Sequence, residues 1–391
     1  MPPQLWKVRR EVVRFGRQLR ELPEDLYNLF FATRRYDRTA AREIRHFGGA
    51  LPATERVVVF LIYPKDGLQL SHLHAFDYFA KKGFAVLAVS NLPLAENDRA
   101  TLLQHCWAHM ERPNFGYDFG GYRDAVLWLS GRLDRLERLV IFNDSTWFPL
   151  PGTHDWLDDA EALGVDLAAA ASNYGTPRAE IEQFRNLQWS YAHTHRNFHY
   201  CSFALFMRPE LFRSRAFLAF WKQLRLTDKK KRTVRRGEIG FSQWAIAQGF
   251  SHGATLDISH LDRELDALDD CRLREVAQGL IIPEDPKLRS LQARVLADPS
   301  ETRSDLIKFI LLVVSRQGSS YALAPYAVFD RGFPFLKKSP LWLSRDSAKA
   351  SLNILGNLAG QVSTFMREEA LALSSRIPAD TKKDPQIDRS E

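Results

Sequence analysis

The chain has 391 residues, 45% hydrophobic and 12% aromatic, and a formal net charge of +7. That composition excludes a disordered chain, and the length suits one large domain with attachments or several smaller ones. Cys106, Cys201 and Cys271 are scattered, odd in number and without C-x-x-C spacing, which argues against a disulfide framework or a zinc ribbon and fits a reducing compartment. No stretch reaches the roughly 20 apolar residues of a membrane span, and the start lacks a secretory signal, so the expected location is the cytoplasm.

Residues 1–45 carry eleven Lys and Arg against six acids, most of the positive excess. Leu5, Val8, Val12, Phe15, Leu19 and Leu22 recur three or four apart while arginines fill the other faces. This spacing predicts an amphipathic helix ended by Pro23. Two readings stay open for residues 1–22: an anionic membrane surface, possible through their basic face at the inner side of the cytoplasmic membrane, or packing on a protein. A nucleic-acid partner is not expected, because no recognition motif accompanies the modest charge.

From Arg56 the pattern changes to strands alternating with helices. Residues 57–63 form an apolar run of buried-strand type closed by Pro64-Lys-Asp-Gly67; 70–82 predicts a helix, and 84–89 a strand closed by Ser90-Asn91. This is a βαβ unit of a parallel sheet. Helices near 95–106, 118–133 and 156–163 and strands at 138–142 and 166–171 continue the alternation. A strand at 200–207 and a helix at 209–224 follow. A basic loop over 229–236 leads into Gly237-Glu-Ile-Gly-Phe-Ser242 and a helix to Gly249, and 255–258 predicts the last strand. Beyond 262 helical patterns dominate. One of them, 305–316, holds an apolar run interrupted by Lys308, too short to cross a bilayer and suited to a helical domain. The expected organisation is a basic amphipathic helical segment (1–54), an α/β domain (55–262), a helical C-terminal region (263–375) and a disordered tail (376–391).

Two segments fall at strand ends, where open α/β sheets take their ligands. In Asn114-Phe-Gly-Tyr-Asp-Phe-Gly-Gly-Tyr122, the side chains of Asn114 and Asp118 sit among Gly116, Gly120 and Gly121, which allow close approach to nucleotide or sugar hydroxyls. Asp118 also suits the N-cap of the following helix. In Ile141-Phe-Asn-Asp-Ser-Thr146, Asp144 opens at a strand mouth between Asn143 and Ser145, as a ligand contact or as an Asx-turn. Glu238 is a candidate base or a first-turn acid favoured by the helix dipole. Arg235 and Arg236 are the members of the basic run nearest to it, and such a run either covers a departing diphosphate or is a solvated loop. His193, His195 and His199 lack a partner at familiar zinc-ligand spacing, and one of them is expected to face an acceptor. Neither a Gly-x-Ser-x-Gly elbow nor a phosphate-binding Gly-x-x-x-x-Gly-Lys loop is present.

As a set, these pieces resemble the rhamnan synthesis protein F family of bacterial polysaccharide glycosyltransferases. The matching parts are the strand ending at Tyr63, the glycine-rich turn, Asn143-Asp-Ser145, Cys201-Ser-Phe-Ala-Leu-Phe206, Gly237-Glu-Ile-Gly-Phe-Ser242 and Gly332-Phe-Pro-Phe-Leu-Lys337. The resemblance implies a GT-A-like α/β fold: a mostly parallel central sheet flanked by helices, with helical N- and C-terminal extensions. It implies a nucleotide-sugar donor, such as dTDP-rhamnose, and a cell-surface polysaccharide or lipid-linked glycan acceptor. Under it Glu238 is the base of an inverting transfer, while Asn114, Gly116, Asp118, Asn143, Asp144, Ser145, Arg235 and Arg236 bind donor. Asp144 would also hold a divalent cation, Mg2+ or Mn2+. Many GT-A enzymes hold that ion with an Asp-x-Asp pair, and here one carboxylate stands alone. The competing expectation is a non-catalytic GT-A-like protein that binds a glycan or a partner in a polysaccharide assembly complex.

Overall fold

The computed structural model describes residues 31–283, 285–358 and 360–376. The helix expected over 1–22 and nearly all of the expected tail lie outside them. The chain divides into two compact units, one comprising residues up to Leu68, Phe79–Asn143 and Phe206–Ser251, the other Gln69–Tyr78, Asp144–Leu205 and the chain from His252. A cut near 262 is therefore not where the units part. Contacts remote in sequence gather each unit, and a linear reading does not register them.

In the first unit β1 (Arg45–Gly48), β2 (Arg56–Ile62), β3 (Ala85–Ser90), β4 (Ala108–Glu111) and β5 (Arg138–Asn143) lie in the order β1-β4-β3-β2-β5. β2 runs parallel to both β3 and β5, with Val59 opposite Leu87 and Ile141, and β3 runs parallel to β4. The side chains from Val57 to Ile62 are all buried, as a strand covered on both faces requires. β1 is antiparallel to β4. Neither β1 nor β4 is expected from the sequence, because each is four residues long and carries polar side chains instead of an apolar run. The described part of 1–54 is thus not only helical: after the short helix Thr33–Arg38 it supplies a strand.

Buried polarity in β4 has a measurable consequence. His109 is fully buried with Nε2 2.9 Å from Ser90 Oγ, and burial, helped by the charges of Arg99 and Arg45, pushes its imidazole down to about 4. The folded state therefore binds fewer protons than the unfolded chain, whose histidine titrates near 6.5. This stability is present above about pH 6.5 and declines toward pH 4 by up to about 3 kcal/mol. Urea unfolding between those limits should show a shallower acid slope for His109→Gln than for the parent, and parallel slopes would contradict the assignment.

The second unit holds β6 (Thr146–Trp147), β7 (Leu167–Ala169), β8 (Ser172–Asn173), β9 (His199–Tyr200), the first residues of β10 (Ala204–Met207), β11 (His252–Ala254) and β12 (Leu336–Lys337). β7 and β11 are parallel, whereas β8 with β9 and β6 with β12 are antiparallel pairs. β11 precedes the expected 255–258, yet Thr255 and Leu256 still donate backbone hydrogen bonds to Ala169 and Ala170. The helix Arg303–Gln317 starts at a capping box formed by Thr302 and Asp305. Its apolar run packs in a helical core, and Lys308 turns out to donate to the Arg185 carbonyl at 2.7 Å. Among the described residues no helix is long and apolar enough to cross a membrane. The mostly parallel α/β arrangement flanked by helices, expected of a GT-A-like chain, is the one this protein has.

Candidate functional site

In the first unit the ends of β4 and β5 carry the glycine-rich turn and Asn143. Asn143 Nδ2 donates to Asp118 Oδ2 at 3.2 Å, so two residues proposed from separate motifs meet. Asn114 is exposed at the start of the turn. Gly116 adopts φ 78 at the N-cap of the helix Tyr117–Trp128, which places Asp118 in the first turn and not at the cap. A left-handed cap of this kind favours glycine.

Gly120 and Gly121 differ from the expectation of ligand approach. A Cβ on Gly120 would lie 2.1 Å from the Phe115 carbonyl oxygen, and one on Gly121 2.4 Å from Leu61 Cδ1. Both let the helix pack onto its own turn and onto β2.

The turn is held from beneath by a cluster that sequence reading missed. The fully buried Arg112 side chain donates from Nε to Asp124 at 2.7 Å, from Nη1 to Asn91 Oδ1 at 2.6 Å, and from Nη2 to Tyr36 Oη at 2.9 Å and to the Phe115 carbonyl at 2.7 Å. Tyr36 Oη in turn donates to Asp124 at 2.5 Å. Burial foremost, with the Asp124 carboxylate adding to it, drives the Tyr36 phenol well above its ordinary range. Alongside, Arg123 grips both oxygens of Asp37 at 2.8 and 2.9 Å. The available signal was two Arg and one Asp flanking a glycine-rich turn on apolar elements.

The basic run is not a loop. Lys230–Val234 is helical, Arg235–Ile239 forms a π turn, and Gly240–Ala247 continues the helix. Lysine and arginine are good helix formers, so the run can continue as helix despite its charge. Glu238 is half-buried in the π turn, a feature often found at functional sites. Gly237 lies so close to the Phe119 ring that a Cβ would stand 2.2 Å from it. The backbone carrying Glu238 is thereby pressed against the residue that follows Asp118. Arg236 Nη1 donates to the Arg225 carbonyl at 3.2 Å, while Arg235 is exposed.

In the second unit Asp144 Oδ2 lies 3.3 Å from His72 Nε2, and the His72 side chain is almost wholly buried. His72 Nδ1 accepts the Gln69 N–H at 3.2 Å. Lys337 is paired with Thr146 across β12 and β6, and its Nζ donates to Ser145 Oγ at 3.3 Å. The neighbouring Lys338 backbone N–H donates to the Ser145 carbonyl at 3.0 Å. Glu369 accepts from the Ser71 N–H at 3.0 Å and from Trp147 Nε1 at 2.9 Å, fastening the C-terminal helix beside these residues. His72, Lys337 and Glu369 had no expected role. Only Lys337 left a trace in the sequence, as the last residue of Gly332-Phe-Pro-Phe-Leu-Lys337.

His72 does not add a second metal ligand beside Asp144. In a metal-bound histidine the outer nitrogen donates and the inner one offers its lone pair. His72 has the reverse polarity, since Nδ1 accepts the Gln69 N–H and Nε2 presents its N–H to Asp144. Among the described residues no three His, Cys, Asp or Glu side chains are grouped to hold a metal. Of the three candidate histidines, His193 packs 4.9 Å from Phe198, while His195 and His199 flank the Tyr174 ring at 5.5 and 5.9 Å, and buried His199 bonds the Asn197 carbonyl at 2.8 Å.

Comparison with known proteins places this sequence in a family. The chain is 30% identical over 245 residues to the uncharacterized protein y4gN of Sinorhizobium fredii, an alignment that spans 62% of this chain and 59% of that relative's length. Among solved structures it is similar to core-mannan synthase A from Aspergillus fumigatus in its Mn/GDP form, with a TM-score of 0.30, 10% identity, and coverage of 50% of this chain and 71% of that one. It is also similar to the mannosyltransferase Ktr4p from S. cerevisiae in complex with GDP, with a TM-score of 0.29, 8% identity, and coverage of 51% and 69%. The family model for rhamnan synthesis protein F matches residues 86–294, the stretch that carries the glycine-rich turn, Asn143-Asp144-Ser145 and Glu238, and the chain belongs to that family.

Proposed function

We propose that this protein is a glycosyltransferase that moves a sugar, rhamnose, from a nucleoside-diphosphate donor to a cell-surface polysaccharide or a lipid-linked glycan. The observation that carries this reading is the family match over 86–294, within which two motifs converge at the bond between Asn143 and Asp118. The family's name specifies rhamnan synthesis, which points to rhamnose as the sugar. Asn114, Gly116 and Asp118 with Asn143 are assigned to nucleotide or sugar hydroxyls, Asp144 and Ser145 to the donor beyond the strand end, and Arg235 and Arg236 to its phosphates.

Glu238 is assigned as the base. The acceptor hydroxyl oxygen attacks the anomeric carbon while the bond from that carbon to the diphosphate oxygen breaks; the hydroxyl proton passes to Glu238 and the diphosphate leaves with the bonding electrons. One displacement inverts the configuration. The basic amphipathic pattern of residues 1–22 supports work at the cytoplasmic face of a membrane, where lipid-linked acceptors are held.

Thermal stability against a panel of nucleotide sugars and free nucleoside diphosphates tests the reading. One nucleotide class should stabilise the protein, by about 2.7 kcal/mol at a hundredfold excess over Kd, and Asp144→Ala should abolish the shift. A flat panel with folded protein would contradict it and favour the non-catalytic assembly protein.

A further inference from the structure

Wholly within the second unit, a cavity of about 90 Å³ lies between the segment that follows β7 and the turn that ends the helix Arg303–Gln317. The carboxyl end of a parallel strand is where α/β sheets take ligands. Two polar atoms on residues lining this cavity are buried without a hydrogen-bond partner: Ser319 Oγ, on a residue with no solvent exposure, and Arg316 Nε. Buried polar groups are nearly always paired, so two unpaired ones on the wall of one cavity point to a bonding partner that enters it. The wall is already fixed. The Ala192 N–H donates to the Gly175 carbonyl at 2.7 Å, Ser172 Oγ pairs with Tyr191 Oη at 2.7 Å, and Asn173 Nδ2 lies 3.4 Å from His199 Nε2. Gly318, at φ 84, lets Asn173 approach where a Cβ would stand 2.5 Å from Asn173 Oδ1.

The chemistry of the lining selects the ligand. Hydroxyl and amide side chains predominate, from Ser172, Asn173, Thr176, Ser315, Gln317 and Ser319, and no carboxylate lines the cavity. Arg316 is engaged elsewhere, with Nη1 donating to the Ala179 carbonyl at 3.1 Å and Nη2 3.5 Å from Asp285, which leaves the single Nε–H. The Arg178 guanidinium stands over the Tyr174 ring, 4.9 Å from its centre. One N–H donor and a serine hydroxyl that both donates and accepts match neighbouring sugar hydroxyls, whereas a phosphate calls for an uncompensated or bidentate cation.

We infer that this cavity binds an uncharged sugar of the acceptor glycan, with Ser319 Oγ and Arg316 Nε bonding its hydroxyls. The volume is below the roughly 150 Å³ that encloses a benzene ring, so one edge of the sugar enters and the rest of the glycan stays outside. The inference rests on the glycan-acceptor reading above, and its test separates the two.

Saturation-transfer NMR on the full chain is run with L-rhamnose, D-glucose and a rhamnose trisaccharide, each alone and against excess inorganic phosphate. At least one of these sugars should bind saturably and resist displacement by phosphate. Ser319→Ala and Thr176→Val should each weaken it by about fivefold. Ser319→Ala deletes a hydroxyl without a partner, so the Tm of the free protein should not fall, and stabilisation by the nucleotide sugar should be unchanged in both variants. Absence of binding by every sugar, displacement by phosphate, or variants that bind like the parent would overturn this inference and leave the donor reading standing. Sugar binding with a flat nucleotide panel would overturn the donor reading alone.

Discussion

Arg112→Leu is expected to destabilise the protein by about 3–5 kcal/mol. The guanidinium has no solvent exposure and serves Asp124, Asn91, Tyr36 and the Phe115 carbonyl at once. Its removal leaves the buried Asp124 carboxylate with Arg123 Nη1, 3.6 Å away, as its remaining counter-charge, and leaves a carbonyl without this donor, and each of those costs more than an exposed bond is worth. The effect should extend to function, because Phe115 lies inside the turn that positions Asp118. Replacing both Arg112 and Asp124 by leucine should recover part of the loss, since the buried carboxylate that has lost its closest cation then disappears. Denaturant unfolding with a change below about 1 kcal/mol for Arg112→Leu would show that the cluster does not hold the turn.

What was legible in the sequence follows what local pattern encodes. β2 and β3 stand out as apolar runs, and the helix Leu70–Lys81 between them shows its period, so the parallel βαβ start can be read directly. β1 and β4 cannot, because His46, His109 and Glu111 interrupt any such run and strand identity comes from partners elsewhere in the chain. The glycine-rich turn was recognised as a turn, yet the role of Gly120 is decided by a carbonyl it nearly touches, which spacing does not encode. The basic run was read as a loop because its charge was given more weight than its helix propensity. Asp144 was singled out from its place after a strand. His72 and Lys337 were not, because helix packing and the β6–β12 pairing bring them beside Asp144 and Ser145 from distant parts of the chain.

The second large effect is on turnover. Glu238→Gln should lower it by about a hundredfold to ten-thousandfold, because the amide cannot take the acceptor proton while its shape is retained. Glutamine keeps the length and shape of the side chain, and Gly237 packs on Phe119 through its own backbone, so folding and nucleotide affinity should persist. A loss in turnover with unchanged donor affinity is the signature of a group that acts in the transition state. Equal falls in affinity and turnover would instead mark Glu238 as a binding residue.

The central claim is that this chain transfers a sugar from a nucleotide donor, and release of nucleoside diphosphate tests it most directly. The full chain, given the nucleotide sugar that stabilises it and a cell-envelope glycan as acceptor, should release the diphosphate continuously. The sugar should appear on the acceptor with inverted anomeric configuration, and Glu238→Gln should slow both by about a hundredfold or more. A protein that binds the donor and releases no diphosphate above the level of buffer would contradict the claim and identify a non-catalytic glycan-binding member of the family.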